Sequence, residues 1–98
     1  MAYRDALDAD RRLVILQLLE KSTGYTANEY TIYAALPGFG HEASMDRVRT
    51  DLAWLDEQGL VALDAPGGVH LAKLTQRGLD VATGRATVDG VKRPGPGE

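Results

Sequence analysis

The spacing of apolar residues changes once along the chain, near Gly59, and that change limits what the chain can fold into. Before Gly59, apolar side chains recur at the three- and four-residue steps of helices; after it, two short β-prone runs surround a cluster of turn residues. Segment 10–21 carries Leu13, Leu16 and Leu19 together with Val14, Ile15 and Leu18. This broad stripe predicts a buried first helix ending before Gly24, with Asp8 or Asp10 at a start where unpaired N–H groups favour a carboxylate. Thr26 and Glu29 have the spacing of a capping box, which predicts that a second helix begins at Thr26. Ala27, Tyr30, Tyr33, Ala34 and Leu36 supply its apolar side, and Pro37-Gly38 stops it. Ser44 caps a third helix whose Met45, Val48, Leu52 and Leu55 face inward, closed at Gly59 by a left-handed residue. Segments 60–63 and 69–74 then form a hairpin around Asp64-Ala-Pro-Gly-Gly68, and Thr75 caps a last short helix through Ala82.

This order predicts a mainly α fold with a small β-hairpin, a winged helix-turn-helix whose third helix enters the major groove. Ninety-eight residues suffice for one domain. Residues 1–84 are assigned to it, and 85–98, with two prolines and two glycines in the last eight positions, to a flexible C-terminal tail.

If the third helix reads double-stranded DNA, its outward side carries the contacts. Ser44 at its start can reach a phosphate, Arg47 a guanine edge or phosphate, and Arg49 and Thr50 lie beside them. His70, Lys73 and Arg77 add backbone contacts from the hairpin and last helix. Arg47 and Arg49 can equally pair with Asp51 and Glu42. The charge balance opposes DNA affinity: the chain is net −3, and acids outnumber arginines along the third helix. A contiguous positive face of Arg11, Arg12, Arg47, Arg49, Lys73 and Arg77 would overcome that balance. Trp54, the only tryptophan, points away from the main apolar direction. It either covers the hairpin or anchors a partner. Residues 1–8 are a candidate surface for pairing with a second copy, and a homodimer would present two reading helices to adjacent half-sites.

The run Val48-Arg-Thr-Asp-Leu-Ala-Trp-Leu-Asp-Glu-Gln-Gly-Leu-Val61 resembles the passage from recognition helix to wing in winged-helix regulators, and Leu74-Thr75 followed by Gly78 resembles their wing exit. Over nearly its whole length the chain looks like the small winged-helix proteins of Mu-like phages and prophages, often labelled ArsR-type regulators. Segments 49–55, 57–61, 84–88 and 90–94 carry that likeness. It implies a phage-encoded DNA-binding or DNA-associated module, for which transcriptional regulator is a label inferred from fold, and implies no established biochemical role.

The alternative is an adaptor for a phage or host protein that uses the same fold without binding DNA. With no cysteine, the chain lacks the thiolates common in ArsR-type metal sensors. His41 and His70 are too far apart in sequence for a ligand motif and are read as surface residues. No metal, cofactor or enzymatic activity is expected: there is no phosphate loop and no nucleophile elbow, and Gly38-Phe-Gly40 lacks the strand that a dinucleotide fingerprint needs. No export signal and no membrane span is visible, so a cytoplasmic protein is expected.

Overall fold

The computed structural model describes residues 3–96, a mostly helical protein with a small three-stranded antiparallel sheet. Its elements are α1 (Tyr3–Lys21), β1 (Thr26–Asn28), α2 (Glu29–Ala35), α3 (Met45–Glu57), β2 (Val61–Asp64), β3 (Leu71–Leu74) and α4 (Gln76–Ala82). Met1 and Ala2 of the segment assigned to pairing, and Gly97 and Glu98 of the tail, lie outside the described residues.

Local signals place α3 and α4. Ser44 Oγ accepts a hydrogen bond from the Arg47 amide at 3.1 Å, and Thr75 Oγ1 accepts one from Gly78 at 3.0 Å. Gly59, at φ +75°, lets the chain leave α3 and return as β2. The hairpin pairs Val61 with Leu74 and Asp64 with Leu71. Leu13, Ile15, Leu16 and Leu19 of α1 meet Ile32 and Leu36, then Val48, Leu52 and Leu55 of α3, in one core closed below by Leu60, Val61 and Leu74.

Four expectations change. Helix α1 starts at Tyr3, because its first turns lie exposed and therefore show no apolar stripe. Thr26 belongs to β1, which pairs with β3 and places Thr26 opposite Lys73. The cap of α2 is Asn28, whose Oδ1 accepts from the Thr31 amide at 2.8 Å. With the helix rotated accordingly, Glu29, Ile32 and Leu36 turn inward, while Tyr30, Tyr33 and Ala34 turn out to solvent. The C-terminal segment is also packed. Val91 is buried, the Lys92 amide donates to Ala9 O at 3.1 Å, and Arg12 Nη1 donates to Gly90 O at 3.1 Å. Val88 and Val91 supply the apolar contacts that the proline-glycine composition concealed.

Candidate nucleic-acid interface

Helix α3 is held by two buried carboxylates, one on each flank. Asp51 is fully buried and faces α1, where Arg11 donates through Nε and Nη2 and Arg12 Nε lies 3.6 Å away. Arg11 also donates to Asp8 at 2.7 Å, and that hydrogen bond is the main reason the Asp8 carboxyl titrates below its usual range. On the other flank, Glu29 of α2 is fully buried. It accepts from the His70 amide at 2.7 Å and from Arg49 Nε at 2.6 Å, with His70 Nδ1 at 3.2 Å. The backbone bond from His70, then the Arg49 bond, outweigh the cost of burial and bring its pKa down to about 2.

Between these anchors the outer crest of α3 is free. Ser44, Asp46, Arg47, Thr50, Ala53 and Glu57 are all exposed, and neither the sheet nor the hairpin covers them. Arg47 reaches toward α1 and lines an open cleft of about 400 Å³ with Arg4, Asp8, His41 and Glu42. No hydrogen bond or ion pair fixes its side chain among the described residues, so its guanidinium is available. Thr50 is exposed and donates its hydroxyl to Asp46 O at 2.9 Å, so its oxygen is left to accept. Arg49 is committed through Nε to Glu29 at 2.6 Å, and no hydrogen bond of its two terminal nitrogens is seen among the described residues.

The predicted contacts therefore separate into groups. Ser44 and Thr50 share the crest with Arg47 at its α1 edge, and Arg49 and His70 are brought together by Glu29 on the flank toward the hairpin. Lys73 stands exposed on β3 opposite Thr26 and Ala62. Arg77 lies at the other end of α3, where its Nε donates to Gln58 O at 3.1 Å, a position that suits a cation at a helix C-terminus. The proposed continuous positive face is interrupted: Arg11 is buried in its ion pairs and Arg12 stacks 4.2 Å above the Trp54 ring.

Three further readings are corrected. Trp54 packs against the C-terminal segment: it is half-buried between Arg12 and Gly90, so that part of its ring is already covered. His41 is buried and lies 2.6 Å from Asp10, which Lys92 also approaches at 3.3 Å. The alternative pairing of Arg49 with Asp51 or Glu42 gives way to Glu29.

Sequence reading gave Glu29 to a capping box and Asp51 to the arginines of its own helix, although both left a trace of the roles they have. Asn28, a strong cap residue directly before Glu29, frees that carboxylate for another task. Asp51 lies three residues after Val48 and four before Leu55, on the inward face, where an acid needs a cation. Among the described residues no group of three or more histidine, cysteine or acidic side chains is placed to hold a metal, and no helix is long and apolar enough to cross a membrane.

The chain is 48% identical over 92 residues to "Uncharacterized protein gp26" of Escherichia phage Mu, covering 94% of this chain and 95% of that protein. It is 39% identical over 99 residues to an uncharacterized protein of Haemophilus influenzae, covering 100% of this chain and 95% of the relative. No protein-family model and no solved structure matches the chain.

Proposed function

The chain belongs to the family of gp26 of Escherichia phage Mu, and from that premise we propose that it is a phage-type winged-helix protein that binds double-stranded DNA through α3 and acts as a transcriptional regulator. The observation that carries this reading is the uncovered crest of α3 with a guanidinium on each flank, Arg47 toward α1 and Arg49 toward the hairpin. A helix lying in a major groove meets base edges along its crest and a phosphate strand on either side. Thr50 and Ala53 then face the bases, and the two arginines face opposite strands.

The electrostatic objection is smaller than the sequence count implies. Asp51 is inside the protein and answered by Arg11 and Arg12, so it adds little field at the crest. Glu29 neutralises part of Arg49 but also restrains its side chain through Nε, which reduces the entropy lost on contact. Two arginines remain against Asp46, Asp56 and Glu57 on the outer side. Affinity is accordingly modest and depends on groove fit as well as on counterion release.

Selection from fragmented phage and host DNA at low salt tests the reading. The expected result is an enriched sequence whose binding weakens as salt rises, with Arg47→Ala losing about tenfold or more, the order of one good base or phosphate contact. Selection that enriches nothing, with binding absent at every salt concentration, overturns it.

The acids Asp46 and Glu57 on the same crest favour a second reading, an adaptor for a basic protein surface. Capture of a protein partner that Asp46→Lys abolishes, with no DNA retained, selects that reading instead.

A further inference from the structure

From Ser22 to Gly40 the sequence contains one charged side chain, Glu29, and that one is fully buried and paired. This stretch therefore contributes surface without formal charge, in a protein where 26% of residues are charged. Within it, Tyr30, Tyr33, Ala34 and Pro37 follow one another at i, i+3, i+4 and i+7, the spacing of a stripe that helices bury. Helix α2 has already spent its inward side on Ile32 and Leu36, so this second stripe faces out. Tyr30 is 52% exposed and Tyr33 42%, and the turns at either end add Tyr25 at 45% and Phe39 at 56%.

We infer that the outer face of α2 is where two copies of this chain associate. Charge argues for that occupant. The chain is net −3, so two copies repel one another on average, whereas this face sets neutral surface against neutral surface. The cation bordering Tyr30, Arg49, is already answered by Glu29. A nucleic acid would find no free cation on α2 to neutralise its phosphates, and a strongly charged protein would lose hydration without gaining a counter-charge.

Area argues the same way. Aromatic side chains carry roughly 150–250 Å² each, so Tyr30 and Tyr33 at about half exposure present roughly 200 Å², and Tyr25 and Phe39 of the adjoining turns bring the sum to roughly 400 Å² where a partner spans them. Facing copies double that figure, and Thr31, Ala34 and the turn backbone extend it toward the roughly 1,200 Å² at which stable interfaces begin. A two-fold axis across α2 makes the contact self-complementary, with ring bodies at its centre and tyrosine hydroxyls at a wet rim. The pairing needs no DNA, so it stands or falls apart from the reading of α3.

Sedimentation equilibrium over a concentration series, from sub-micromolar to several hundred micromolar, tests the pairing. The wild-type chain should show twice the 10.6 kDa monomer mass. Tyr33→Glu and Ala34→Glu, both at exposed positions, should each raise the dissociation constant by about 30-fold or more, the factor of an interface hot spot, with an unchanged circular dichroism spectrum. Arg47→Ala, on the other helix, should leave the mass unaltered. A wild-type chain that stays monomeric at the highest concentration overturns the inference. So does a dimer that neither charged variant weakens, or a loss of DNA binding in Tyr33→Glu without any change in mass.

Discussion

Arg11 of α1 and Asp51 of α3 form a buried pair across forty positions of sequence, the acid fully buried and the arginine 7% exposed. The pair does more than satisfy charge. It joins the first helix to the helix proposed to meet DNA, and the hydrogen bond to Asp8 extends it along α1. Burial alone would weaken the Arg11 cation, but the bonds from Asp51 and Asp8 outweigh it and hold the guanidinium more firmly protonated than usual. Removing the acid leaves Arg11 with Asp8 alone and Arg12 Nε with no carboxylate beside it, so Asp51→Asn should cost about 3 kcal/mol in urea unfolding. Arg11→Met combined with Asp51→Leu should recover only part of that loss, because the apolar pair removes two buried charges but leaves Arg12 and Asp8 without the partners they had. If Asp51→Asn is as stable as wild type, the pair does not anchor α3.

Glu29 gives the protein an acid-sensitive joint. Its carboxyl titrates near 2 in the folded protein against 4.5 in an unperturbed chain. Between those values the unfolded chain binds a proton that the native state refuses, so acidification favours unfolding. The stabilisation is complete above about pH 4.5 and is lost as pH falls toward 2. Asp8, lowered mainly by the Arg11 hydrogen bond, adds to the same slope. So does Asp10, where bonds from His41 and Lys92 overcome the opposing effect of burial. Thermal unfolding followed from neutral pH to about 2 should show the melting temperature falling through this window, and Glu29→Gln should flatten the fall while lowering stability at neutral pH.

The start of α2 distinguishes two residues that look equivalent in sequence. Asn28 makes the capping bond, while the Thr26 hydroxyl donates to Gly24 O at 2.9 Å in an exposed turn. Asn28→Ala should therefore cost about 1 kcal/mol, and Thr26→Ala should stay within about 0.5 kcal/mol of wild type. Urea midpoints of the two variants give the comparison directly, and the reverse order would restore the capping box.

What the sequence revealed and what it concealed divide by distance along the chain. Ser44, Gly59 and Thr75 mark helix ends through bonds to residues a few positions away, so α3, the hairpin and α4 were legible from local chemistry. Strand β1 was not, because three residues become a strand only when β3 lies beside them. The inward side of α2 was misread for a related reason. Tyr30, Tyr33 and Ala34 have the right spacing for a core, but Ile32 and Leu36 occupy it once Asn28 fixes the rotation of the helix. At the candidate interface the exposed side of α3 was legible as a helical face. The partners that set its charge, Glu29 and Arg11, come from 20 and 40 positions away, where periodicity carries no information.

The sole tryptophan reports on the part of the chain whose packing was least visible in the sequence. Trp54 lies between the Arg12 guanidinium and Gly90, where a Cβ would come within 2.8 Å of the ring, and Gly90 has φ +98°. Gly90→Ala thus meets both a steric clash and an unfavourable backbone conformation. It should release segment 90–96 from α1 and cost about 1–3 kcal/mol, the range for overpacking a close contact. Tryptophan emission should shift to the red as the ring gains water, and the Lys92 amide, bonded to Ala9 O, should exchange its hydrogen faster. Lys92→Ala removes only the side-chain link to Asp10 and keeps that backbone bond, so a smaller red shift is expected. Unchanged emission in Gly90→Ala would mean that the segment does not cover Trp54 in solution.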